Sequence, residues 1–200
     1  MKKIVIVGAT GTVGSAVTAA LGEGNEIIAV GRSKGQYQVD ITSSDSIRAL
    51  FERTGRVDAI VSAAGNLHFG PLTEMTAAQF KVGLHDKLLG QVDLALIGQH
   101  YLNDGGSITL TSGIVSDEPI RFGANATAVN AAIDGFVRAA AIELPRGLRI
   151  NSVSPSVLEE SMAGYGPYFP GFEPVPARRV AQAYVRSVAG AQTGRVYTVW

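Results

Sequence analysis

The chain predicts a three-layer α/β domain: a doubly wound parallel sheet with helices on both faces. Three observations carry this. A β-branched run, Lys3-Ile-Val-Ile-Val7, ends in a glycine-spaced loop that opens a helix. Short apolar runs then alternate with helical patterns to the end of the chain. At 200 residues, 46% hydrophobic and 17% charged, the chain has the size and composition of a single domain with a sizeable core. Strands joined by helices need right-handed crossovers, and these return each strand to one sheet parallel to the last.

The elements follow in order. After the first strand the spacing is Gly8-x-x-Gly11-x-x-Gly14, and Val13, Val17 and Leu21 then recur at helical intervals. Strand, tight turn and helix are the order that phosphate binding needs. Glycines let the backbone approach a pyrophosphate, and the helix N-terminus offers free N–H groups. The spacing differs from the common G-x-G-x-x-G fingerprint, so the alternative is a glycine turn that only packs helix on strand. Glu26–Val30 reads as the second strand and Tyr37–Val39 as a short third, closing at Asp40-Ile41. Ser43, Ser44 and Asp45 are cap candidates for a helix to Arg53. Val57–Val61 is the fourth strand, and Ser62-Ala-Ala-Gly65 a small-residue turn. Thr76–Tyr101 reads as largely helical with a break near Gly83, and Gly106–Thr111 as the fifth strand, ending at Ser112. An alanine-rich helix spans Ala124–Glu143, followed by a strand at Leu148–Val153. Tyr165–Pro176, rich in Gly, Pro and aromatics, reads as a covering loop. A helix at Ala177–Ala189 and a strand at Arg195–Val199 complete the domain.

Composition excludes several functions. Net charge is zero and no basic cluster appears, so no nucleic-acid footprint exists. With no cysteine there are no disulfides or thiolate metal sites, which fits a cytoplasmic setting. No apolar run reaches membrane-spanning length, so no membrane partner is expected. His85 and His100 have no partners at metal-ligand spacing, and no metal site is expected.

Taken together, Gly8-x-x-Gly11-x-x-Gly14, Asp40-Ile41, Ala63-Ala64-Gly65, Thr111-Ser112 and Asn151-Ser-Val-Ser-Pro155 resemble the short-chain dehydrogenases/reductases along essentially the whole chain. The segment Asn130–Leu144 is similar to that family's long central helix. The resemblance implies a Rossmann-type sheet of about seven strands, in the order 3-2-1-4-5-6-7, over residues 1–200. It also implies an NAD(P) cofactor across the C-terminal strand edge. Gly8, Thr10, Gly11, Thr12, Val13 and Gly14 would hold the pyrophosphate, Asp40 and Ile41 would flank the adenine, and Ala63, Ala64 and Gly65 would line the ribose. Thr111, Pro155 and Val157 fall on the nicotinamide side, where Ser156 replaces the family's usual glycine. An NAD site would carry an acid at the end of the second strand. Here Gly31-Arg32-Ser33 stands instead, and a guanidinium suits a 2′-phosphate, so NADP(H) is expected.

The resemblance breaks at the catalytic positions. Ala126 stands where the family's proton-donating tyrosine belongs, and no tyrosine lies between Ser112 and Asn151. Asn130 stands at the lysine position and Lys87 at the asparagine position, so these two residue types have exchanged helices. Ser112 alone is retained. Lys87 is therefore expected to face the pocket and, with Ser112, to carry the chemistry. Tyr165, Tyr168 and His68 are weaker candidates for the missing acid.

Two functions remain open at this stage. One is an NADP(H)-dependent oxidoreductase acting on a carbonyl or alcohol with a non-standard proton donor. The other is a non-catalytic NADP(H)-binding sensor or partner subunit. The excess of small residues on the long helix further implies a homodimer or homotetramer.

Overall fold

The computed structural model describes residues 1–200. Strands β1 (Lys3–Val7), β2 (Glu26–Gly31), β3 (Tyr37–Gln38), β4 (Val57–Ser62), β5 (Leu102–Thr111), β6 (Arg149–Pro155) and β7 (Val196–Val199) form one sheet. All pairs are parallel and the order is β3-β2-β1-β4-β5-β6-β7, as the sequence resemblance implies. Helices α1 (Thr12–Gly22) and α7 (Ala177–Ala189) cover one face. Helices α2 (Ser44–Thr54), α4 (Gly90–Gly98) and α5 (Ala124–Glu143) cover the other. Alternation in β1 sends Ile4 and Ile6 to the first core, and Val5 and Val7 to the second. No helix is long and apolar enough to cross a membrane.

Local chemistry explains the helix boundaries. Ser43 caps α2 by accepting from the Ser46 N–H, and Thr76 with Gln79 forms a reciprocal capping box at the start of α3 (Ala77–Gly83). The break expected near Gly83 is a change of helix type: Leu84–Leu89 is a π-helix between α3 and α4. Its extra residue per turn shifts the side-chain phase, turning Lys87 inward while Leu89 faces out.

The largest departures from the sequence expectation are at two strand ends and in the covering segment. Strand β5 begins earlier, at Leu102, and β6 runs on to Pro155, because pairing with neighbours extends both. The covering segment is also not a plain loop. A 3₁₀ turn at Glu159–Ser161 and a short helix, α6 (Met162–Tyr165), lead into it, and Gly166–Tyr168 within it is a second 3₁₀ turn.

The β1–α1 turn closes on itself. A Cβ on Gly14 would overlap the Gly8 carbonyl oxygen, whereas one on Gly22 at the far end of α1 would meet nothing within 4 Å. Gly14→Ala is therefore expected to cost about 1–3 kcal/mol, as overpacking does, and Gly22→Ala to be neutral or mildly stabilising. Urea unfolding of the two variants beside the parent chain measures both; equal stabilities would refute this account of the turn.

Candidate active site at the carboxyl edge of the sheet

The loops that follow β1, β2 and β4 line a groove of about 370 Å³ at the carboxyl edge. Gly8 sits there at φ +85°, and a Cβ on it would lie 2.5 Å from the Ala63 carbonyl oxygen. Only glycine fits that position. No side chain caps the N-terminus of α1, so the first N–H groups of the helix are left for a ligand. Arg32 lines the groove, exposed and without an ion pair or side-chain hydrogen bond. Asp40 also lines it, but its carboxylate turns back on its own loop. It accepts from the Thr42 hydroxyl at 2.7 Å and the Thr42 N–H at 3.0 Å. Those bonds, with a smaller contribution from Arg32, hold the Asp40 carboxyl below its usual pKa. Thr10, Gly11, Ile41, Ala63, Ala64 and Gly65 line the same groove, whereas Thr12, Val13, Gly14 and Ser33 do not. Val13 instead packs on the α1–α7 core, and the Ser33 carbonyl accepts from Gln38.

At Gly65 and Asn66 the groove meets a second cavity of about 300 Å³. Lys87 forms part of its wall and is 7% exposed. The ammonium donates to Asn130 Oδ1 at 2.7 Å and to the Ser112 carbonyl at 2.9 Å. The exchanged lysine and asparagine thus touch each other across the site. Close packing of two glycines allows this. A Cβ on Gly65, at φ +125°, would come within 2.7 Å of the Lys87 stem, and one on Gly113 within 3.0 Å of Asn130 Nδ2. Burial pushes the Lys87 ammonium down to about 8, opposed by the charge of Asp134 one turn along α5. Asp134 is itself buried and accepts from the Ser152 hydroxyl at 2.6 Å. The Ser112 hydroxyl has no protein partner, so it is free to bond a ligand oxygen.

The rest of the cavity is apolar and aromatic. Leu67, Phe69, Ile114, Val115, Val157, Leu158, Tyr165 and Phe169 line it with Pro155 and Thr111. Tyr165 stands edge-on to Phe69 at 5.8 Å, and Tyr168 packs on Phe69 at 5.5 Å without lining the cavity. His68 does not line it either. His85 and His100 lie exposed on the surface. The cover is tied down at both ends. Ser156, which departs from the family's glycine, donates to the Glu173 carbonyl at 2.8 Å, and Glu160 caps α7 by accepting from the Ala177 N–H at 3.0 Å.

Four supporting residues escaped the sequence reading. Gln91 is fully buried and brackets Thr111, donating to its carbonyl and accepting from its N–H. Tyr184 bonds the Thr111 hydroxyl, which also donates to the Ser62 carbonyl, so that hydroxyl is fully occupied within the fold. Burial pushes the Tyr184 phenol up. Asn125 ties the His68 N–H to the Phe80 carbonyl. Asp134 is the fourth. The spacing held a signal for two of these: Lys87–Gln91 and Asn130–Asp134 each lie four residues apart, on one helix face.

Comparison with known proteins agrees with this geometry. A family model described as "Enoyl-(Acyl carrier protein) reductase" matches residues 9–193. A hydroxynaphthalene reductase of Aspergillus fumigatus is 29% identical, aligned over 68% of this chain and 52% of its own length. A versicolorin reductase of Emericella nidulans is 28% identical, over 69% of this chain and 54% of its own. The chain thus spans about half the length of these curated relatives. Among solved structures, a protein from Listeria innocua is 52% identical with a TM-score of 0.98, each chain fully covered. A small-chain dehydrogenase solved in complex with NADPH is 28% identical with a TM-score of 0.88, over 98% of this chain and 95% of its own. Fold, glycine groove and family match together establish that the chain belongs to the short-chain dehydrogenase/reductase family.

Proposed function

We propose that the chain is an NADP(H)-dependent oxidoreductase acting on a carbonyl or alcohol substrate, with Ser112 and Lys87 as its catalytic residues. One observation carries this reading. The glycine-lined groove opens at Gly65 and Asn66 into an apolar cavity whose wall holds an ammonium and an unpartnered hydroxyl. The groove suits a dinucleotide, because its backbone at Gly8, Gly31 and Gly65 packs too closely on Ala63, Lys34 and Lys87 to carry a Cβ and so presents bare main chain to a ligand. In this reading the backbone of Gly8, Thr10, Gly11, Thr12, Val13 and Gly14 holds the pyrophosphate, and Asp40 and Ile41 flank the adenine. Arg32 and Ser33 take the 2′-phosphate. Ala63, Ala64 and Gly65 take the ribose, while Thr111, Pro155 and Val157 face the nicotinamide, with Lys87 near its ribose.

The bound nicotinamide supplies or accepts a hydride. Ser112 donates to the substrate oxygen, and the nearby ammonium stabilises negative charge there. The aromatic walls, and the bicyclic and polycyclic compounds in the names of the two fungal relatives, support an uncharged apolar carbonyl substrate. The absence of a tyrosine at the buried Ala126 favours the second reading, a non-catalytic NADP(H)-binding sensor or partner subunit. Turnover of NADPH with a panel of carbonyl compounds separates the two.

Cofactor choice follows from Arg32. Calorimetric titration is expected to show NADPH binding at least tenfold tighter than NADH, about 1.4 kcal/mol. Arg32→Ala should remove that margin; a margin unchanged in the variant would exclude Arg32 as its source.

Assembly follows from α5. Its outer face exposes Ala128, Ala131, Ala132, Gly135, Ala139 and Ile142, the last 86% exposed, and Leu96 of α4 stands 48% exposed. Small side chains permit close helix pairing, so a homodimer or homotetramer is proposed. Light scattering at micromolar concentration should give a multiple of 20.9 kDa, and Ala132→Glu should lower it. A monomer mass for the parent chain would refute this.

A further inference from the structure

We propose that the Lys87 ammonium itself gives the substrate oxygen its proton during reduction and recovers it during oxidation, in place of the family's absent phenol. The inference rests on the oxidoreductase reading and adds the identity of the acid. An ammonium carries three protons. Asn130 Oδ1 and the Ser112 carbonyl accept two of them, at 2.7 and 2.9 Å. The third is left for a ligand in the cavity that Lys87 lines. The same carbonyl belongs to the residue whose hydroxyl is unpartnered, so the donor is anchored to the residue that carries the polarising group.

The other candidates are placed less well. The Ser112 hydroxyl can donate a hydrogen bond, but no base or acid stands behind it to replace its proton. Tyr165 is 47% exposed at the cavity mouth, and no hydrogen bond holds its phenol. Tyr168 and His68 do not line the cavity.

The step balances as follows. The carbonyl carbon gains a hydride, two electrons and a proton's mass, from the reduced nicotinamide, and the C=O π pair moves to oxygen. An O–H bond forms to a Lys87 proton as the N–H bond breaks, leaving a neutral amine. That amine then takes a proton from water. Oxidation runs the same transfers backwards.

The surroundings suit this traffic. Asp134 on α5 is the charged group whose field reaches the ammonium. Asp86, next in the chain, turns to Asn66 on the groove side at 2.6 Å, and Tyr165 lines the same cavity as Lys87. With burial holding the ammonium at about 8, both its forms are accessible near neutral pH, the condition for an effective acid–base group.

The experiment uses the full chain with NADPH and a panel of aromatic ketones and diketones. Wild-type reduction should fall as pH rises through about 8, and oxidation of the matching alcohols should rise over the same range. K87R keeps the charge and the hydrogen-bond donors but cannot release a proton in this range. It should bind NADPH within a few-fold of wild type by calorimetry, yet lose about 10²- to 10⁴-fold in kcat, together with the pH limb. N130D sets a carboxylate against the ammonium and should move the limb to higher pH. Y165F should leave the limb in place. A readout independent of turnover, and of whether any variant folds, comes from ¹⁵N-lysine NMR of the wild-type chain. One Nζ should titrate near 8, below the ordinary lysine value. The proposal is overturned if the limb persists in K87R, if it vanishes in Y165F, or if every lysine titrates at the ordinary value. NADPH binding with no turnover of any carbonyl by the wild type would remove the parent reading and this one with it.

Discussion

Burying the Lys87 ammonium is the constraint around which the site is built. A charge taken out of water is costly unless its protons find acceptors and opposite charge lies near. Asn130 and the Ser112 carbonyl supply the acceptors, and Asp134, held by Ser152, supplies the field. They come from three elements: Asn130 and Asp134 from α5, Ser112 from the end of β5 and Ser152 from β6. The ammonium therefore ties the helical layer to the carboxyl edge of the sheet where the groove opens.

The neighbouring backbone is shaped to the same end. The π-helix at Leu84–Leu89 turns Lys87 inward, and glycines at 65 and 113 remove the side chains that would collide with the pair. Gln91, one turn on, fixes both polar groups of the Thr111 backbone, so the strand end that carries Ser112 cannot shift. The Thr111 hydroxyl is bound to Tyr184 and Ser62, which explains why a residue beside the cavity contributes structure more than chemistry. Polar groups this deep stay ordered because an unpaired one would cost more than the bond returns.

The two halves of the site differ in how rigidly they are held. The glycine groove is made of backbone that cannot accept a Cβ, and its one strong cation, Arg32, is exposed. The adjoining cavity is closed by side chains: aromatic rings on a segment tied at Glu160 and Ser156 but built of short helical turns. A segment with such short elements between fixed ends is where specificity can vary without disturbing the sheet.

The family resemblance supplied the strand order, and the sequence by itself determined the parallel sheet and the place of the groove. Those depend on period and on glycine, both written locally: β-branched runs, helical spacing, and a loop in which only glycine fits. It also located Ser112 and singled out Lys87, from the matching residues around them. What only the tertiary structure decided is which distant side chains meet. That Lys87 and Asn130, 43 residues apart, bond one another depends on a π-helical phase shift that no local pattern announces. The pairing of Asp134 with Ser152, the bracket of Gln91 on Thr111 and the ordering of the aromatic cover are likewise long-range contacts. They exist only once the helices have packed, because hydrogen-bond partners in a core are assigned by proximity in space.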